Sequence, residues 1–93
     1  YELRENDTYI TDSVGWGYYL IGDFINAEKY LRKAVELMPD DPIVNDHYGD
    51  VLWQLDRKLQ AKYFWEQVLE LEDTEDEMKK DIENKLIDGP RKI

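Results

Sequence analysis

Ninety-three residues make one small domain, too short for two units or a large catalytic cavity, with roughly 65% of the unfolded surface buried on folding. Twelve Lys and Arg against 22 Asp and Glu leave a net charge of −10, which argues against nucleic acid and against anionic membrane surfaces, since both select cations. The 42% hydrophobic and 13% aromatic content is too rich for a disordered acidic tail, and the absence of cysteine removes disulfide and thiolate chemistry.

In chain order, Tyr1 to Asp7 precede the first clear helical period. The chain starts at Tyr1 rather than Met and is read as a piece of a longer protein. Ile10, Val14 and Tyr18 stand four apart and predict a helix over 8–21, ended by Gly22-Asp23. The longest apolar stretch, Val14 to Gly22, is broken by glycine and too short to insert into a bilayer. Phe24, Ala27, Leu31, Ala34 and Val35 predict a second helix over 24–38, and Pro39-Asp40-Asp41-Pro42 breaks after it. Val44, Tyr48 and Leu52 mark a third over 43–55, and Ala61, Phe64, Trp65, Val68 and Leu69 a fourth over 58–72. Residues 66–93 hold no aromatic. There Met78, Ile82 and Leu86 form a narrow stripe flanked by Glu75–Lys79, Asp76–Lys80 and Asp81–Lys85 at i,i+4 spacing. Thr74 with Glu77 reads as a capping box opening this fifth helix, 74–88, and Gly89-Pro90 stops it.

An offset of 34 lays the chain on itself without a gap. It pairs Asp12 with Asp46, Gly15 with Gly49, Ala27 with Ala61, Glu36 with Glu70 and Leu37 with Leu71. Tyr19 falls on Trp53, Tyr30 on Phe64 and Leu31 on Trp65. Small on small and bulky on bulky is the mark of two copies of one packing unit, each a helix hairpin that cannot bury its faces alone.

The stretch Thr11-x2-Val14-Gly15-x2-Tyr18, then Ala27-x3-Leu31, then Pro39 resembles a tetratricopeptide repeat (TPR). The second copy reads Asn45-x2-Tyr48-Gly49-x2-Leu52, then Ala61-x3-Trp65, with Asp73 at the proline position. Thr11 and Asn45 depart from the usual aromatic, and Asp56 stands where the first copy has Gly22, which weakens the second hairpin's turn. The phrasing around Asp12–Trp16 and Asn45–Asp50 is similar to C-terminal repeats of larger bacterial TPR proteins. The resemblance implies an all-α fold of five helices. Two hairpins, 8–41 and 42–73, form a right-handed superhelical stack, closed by a capping helix at 74–88 and a tail at 89–93. Residues 1–7 are then a remnant of a preceding repeat or an N-terminal extension. With two repeats and one cap, the apolar side of helix 8–21 stays partly uncovered, which opens a route to homo-oligomers.

No catalytic constellation is assembled, and no enzyme, metal or cofactor is implied. His47 is the only histidine and has no cysteine to join it, so it reads as an exposed or satisfied residue rather than a zinc ligand. Asp46 and Asp50 lie mid-helix, unlike calcium-loop ligands, and Ser13 has no readable His and Asp partners. Gly15 and Gly17 fall in a helix pattern rather than a phosphate loop.

The resemblance implies a concave face lined by the first helix of each hairpin, where peptides commonly bind. Helices 8–21 and 43–55 contain no Lys or Arg. Asp12, Trp16 and Tyr19 share a face by helical spacing, and Asp46, Asp50 and Trp53 form the same triplet one repeat later. With Tyr9 and Gln54 they make up an acidic, aromatic groove suited to a protein or peptide segment with basic and apolar residues. A ligand carboxylate, which would need cations there, is disfavoured. Tyr19 and Trp53 stand equally as packing between neighbouring hairpins, Trp16 less so. Two other readings are the structural end of a longer scaffold with its binding surface elsewhere, and self-association through the uncapped helix.

Overall fold

The structure, a computed structural model, describes residues 2–90, with side chains from Asp7 to Pro90. Among the described residues there are five α-helices and no strand: α1 (Glu2–Leu20), α2 (Phe24–Leu37), α3 (Pro42–Gln54), α4 (Lys58–Glu70) and α5 (Asp76–Asp88). Each helix packs on its chain neighbour, α1 on α2, α2 on α3, α3 on α4 and α4 on α5, in an arrangement consistent with a TPR-like stack. No helix among the described residues is long and apolar enough to cross a membrane.

Local chemistry sets the helix limits. The Asp23 carboxylate caps α2 by accepting from the Asn26 amide N–H at 3.2 Å. Asp41 caps α3 by accepting from the Ile43 and Val44 N–H groups at 2.9 and 3.1 Å, with Pro42 in the first turn. The turns after α1 and α3 are the same device. Asp23 N–H donates to Tyr18 O and Arg57 N–H to Leu52 O, both at 2.9 Å, around a left-handed residue, Gly22 at φ 83 and Asp56 at φ 64. The second turn therefore closes like the first without its glycine, because Asp tolerates that region better than most residues.

Two expectations need correction. α1 begins at Glu2 rather than near residue 8, so residues 2–7 are helical and continuous with it; nothing in Glu2–Asp7 breaks a helix. Tyr1 and residues 91–93 lie outside the described residues. Thr74 does not cap α5. Its Oγ1 donates to Val68 O at 2.7 Å, and the helix starts after Glu75 with no side-chain cap. Buried Thr74 ties the α4–α5 link to the end of α4 and leaves Asp76 and Glu77 to complement the positive helix terminus.

The repeat's small residues are contact points. Gly15 lies against Leu31, where an added Cβ would come within 2.7 Å of the Leu31 Cγ, and Gly49 lies against the indole of Trp65. Trp65 is fully buried, and its Nε1 donates to the Asp46 carbonyl at 3.3 Å. Ala27, Ala61, Leu31, Val51, Val68 and Ile82 complete a core running through the stack. On α1 the stripe is uncovered. Ile10 is 63% and Val14 40% exposed, whereas Val44 and Tyr48 at the same positions of α3 are buried against the preceding hairpin.

Candidate functional site

α1 and α3, and α3 and α5, face one another through side chains that hydrogen-bond between them. Four hydrogen-bonded pairs join these helices: Asp12 with His47, Tyr19 with Gln54, and Lys85 with both Asp46 and Asp50. Three of them join residues 35 apart, one more than the repeat, so a residue on one first helix meets the next position on the following one, and Asp46 with Lys85 is 39 apart.

The first cluster is aromatic. The Trp16 ring lies parallel to His47, with centroids 4.0 Å apart, and to Tyr19 at 4.6 Å. His47 Nδ1 donates to both Asp12 carboxylate oxygens at 3.0 and 3.1 Å, since a carboxylate can only accept. Tyr19 is buried, packs on Phe24, and its hydroxyl accepts from Gln54 Nε2 at 3.3 Å. Burial raises the Tyr19 pKa, which keeps the phenol neutral.

The second cluster is ionic. Lys85 Nζ donates to Asp46 Oδ1 at 2.7 Å and to Asp50 Oδ1 and Oδ2 at 2.9 and 3.1 Å, and sits 6.0 Å from the centre of the Trp65 ring. Burial, with Asp46 beside it, pushes the Asp50 carboxyl up to about 6 despite Lys85. Lys85 loses solvation but is held above its ordinary value by the two carboxylates. Two anions share one cation, so the cluster keeps one unbalanced negative charge when both acids are ionised.

The expected site residues are thus divided. Asp12, Trp16, Tyr19 and Gln54 come together with His47, and Asp46 and Asp50 come together with Lys85. Trp53 joins neither cluster. It packs on Trp65 with centroids 5.5 Å apart, lies against Gly89, and carries Lys58 over its ring at 4.9 Å. Tyr9 is exposed. These carboxylates are not the unpaired acids expected from helices without Lys or Arg, because His47 and the Lys85 of another helix supply partners. The 35-residue spacing was readable in the sequence, but only once successive first helices are known to face one another.

Among the described residues no buried side-chain nitrogen or oxygen lacks a hydrogen-bond partner. No group of three or more His, Cys, Asp or Glu among them could hold a metal ion. No family model matches the sequence. It is 38% identical over 50 residues to a TPR repeat-containing protein of Pseudomonas aeruginosa, covering 54% of this chain and 8% of that protein. The fold and this similarity fit a TPR-like chain. Human aspartyl/asparaginyl beta-hydroxylase is 39% identical over 51 residues, covering 55% of this chain and 7% of that protein, and the mouse protein of that name is 33% identical over the same length. The chain spans less than a tenth of the length of these relatives.

Proposed function

We propose that this chain is a TPR-like, non-catalytic interaction module that takes a partner segment with basic and apolar residues on the face shared by α1 and α3. The observation that carries the reading is the Tyr19–Trp16–His47 stack with carboxylates on either side, Asp12 at one end and the under-neutralised Asp46–Asp50 pair on α3. Exposed Tyr9 offers an aromatic face to a cation, a contact of about 0.5–2 kcal/mol, and half-buried Trp16, stacked between Tyr19 and His47, offers its accessible edge. The excess negative charge favours approach of basic segments. Tyr19, Trp53 and Gln54 hold the surface in place. The hydroxylase activity named for the human and mouse relatives belongs to those proteins, of which this chain aligns with 7%.

The test is capture from a bacterial lysate by the wild-type chain and by Trp16→Ala, with both shown to be folded by circular dichroism. The expected result is a protein held by the wild type and reduced at least about tenfold with Trp16→Ala, the loss of a well-packed aromatic anchor. Equal capture by the two would remove the α1–α3 face as the site.

A second reading, stacking or self-association through α1, is favoured by the exposure of Ile10 and Val14 where their equivalents in α3 are covered.

A further inference from the structure

A cavity of about 390 Å³ opens between α2, α3 and α4, at the lower end of the size range of small-ligand pockets. Tyr48 of α3 lines it. That residue stands midway in sequence between Asp46 and Asp50 and so lies about 160–200° round the helix from both, away from the Lys85 cluster. α2 supplies Glu28 and Arg32, the turn before α4 supplies Arg57, and α4 supplies Tyr63 and Phe64.

Two guanidiniums against one carboxylate leave this lining with one net positive charge, in a chain of net charge −10. Glu28 is already engaged. Its Oε2 accepts from the Tyr48 hydroxyl at 2.9 Å and pairs with Arg32 Nε at 3.3 Å. The terminal nitrogens of Arg32 and the whole guanidinium of Arg57 make no hydrogen bond or ion pair among the described residues. Burial, and then Glu28, raise the Tyr48 pKa, and both guanidiniums act against the rise, so both cations lie within electrostatic range of one hydroxyl. Phe64 meets Tyr48 and Tyr63 edge to face, with centroids 4.7 and 5.3 Å apart, and Tyr63 is 57% exposed. Aromatic surface therefore borders the cations. Guanidinium donors match the fork of a carboxylate, and the rings suit an apolar group attached to it.

We infer that this cavity is a second binding site, for a single carboxylate borne on an aromatic or apolar group. Arg57 and the terminal nitrogens of Arg32 hold the anion, and Tyr63 and Phe64 receive the apolar part. The site is opposite in sign to the α1–α3 face and does not depend on it. Two sources offer that chemistry, a free organic acid and an acidic side chain beside an aromatic one in a peptide.

The probes are phenylacetate and the end-blocked dipeptide Phe-Glu, titrated into the isotope-labelled full chain and followed by amide chemical shifts, with phenylacetamide as the neutral control. Saturable shifts are expected in segments 28–32, 48–52 and 57–64 with at least one acid, and the tighter of the two names the source. Phenylacetamide should bind at least about tenfold more weakly than phenylacetate, because hydrogen bonds to a charged group are lost. Arg57→Gln should weaken the tighter acid about tenfold. Glu28→Gln, which removes the acid from the lining but keeps an acceptor for Tyr48, should tighten it; the opposed directions separate anion recognition from damage to the fold. Equal binding of phenylacetamide, binding unchanged in Arg57→Gln, or no saturable shift with either acid overturns the inference.

Discussion

A Cβ added at Gly49 would collide with the Trp65 indole, and one at Gly15 would come within 2.7 Å of the Leu31 Cγ, while one at Gly17 would meet nothing within 4 Å. All three glycines lie within helices, where alanine is the better former by about 0.5–1 kcal/mol. Propensity decides only where space is open. Gly17→Ala is expected to stabilise the chain by that amount, raising the melting temperature by about 2–8 °C for a domain this small. Gly15→Ala and Gly49→Ala are expected to cost about 1–3 kcal/mol through overpacking, Gly49 the more because the indole is rigid and fully buried. Thermal melts of the three variants followed by circular dichroism check both signs. Alanine at Gly17 that lowered the melting point would mean that the exposed side of α1 is covered in solution.

Between elements, the α3–α5 contact makes stability depend on pH. Asp50 has its carboxyl pushed from an ordinary 3.8 to about 6 by burial and by Asp46, with Lys85 and His47 pulling the other way. The folded chain therefore binds this proton more tightly than the unfolded chain. Stability from Asp50 rises as pH falls through about 6 towards 4, and the ionised form carries a cost at pH 7. Protonation also leaves Lys85 with Asp46 alone, a balanced pair. Compared with Asp50→Asn, which cannot titrate, the wild type is expected to gain on the order of 1 kcal/mol between pH 7 and 5, read from urea midpoints at each pH. Parallel curves for the two proteins would show that Asp50 is not the group concerned. This contact was also the part of the molecule least legible in advance. The hairpins follow from paired small and bulky residues 34 apart, and α5 from its stripe, because both are properties of a single element or its copy. Lys85, by contrast, has Asp81 at i−4 as a local partner, and only the rotation of α5 on α4 turns it to Asp46 and Asp50 instead. The same limit hid His47, whose partner Asp12 lies one layer away, and misassigned Thr74, whose hydroxyl was nearer the last carbonyls of α4 than the amides of α5.

For the whole molecule, a charge of −10 and an open apolar face pull in opposite directions. Ile10 and Val14 are exposed where the repeat buries Val44 and Tyr48, so each layer is built to receive a second helix of a preceding layer, and α1 lacks one among the described residues. A second copy brought to that face also brings ten negative charges, whose repulsion reaches about 30 Å at 0.01 M salt and about 8 Å at 0.15 M. If the α1 face mediates self-association, salt should promote it, since screening removes the repulsion and leaves apolar burial intact. Sedimentation equilibrium at protein concentrations around 0.1 mM is then expected to show mass rising between 0.01 and 0.5 M sodium chloride. Ile10→Lys with Val14→Lys should stay monomeric throughout. Both side chains are exposed, so the double variant should keep its helicity and melt within about 0.5 kcal/mol of the wild type. A wild type that remained monomeric at every salt concentration would rule out self-association through this stripe and leave it to a helix from another segment, presenting small and branched residues as α2 presents Ala27, Leu31, Ala34 and Val35.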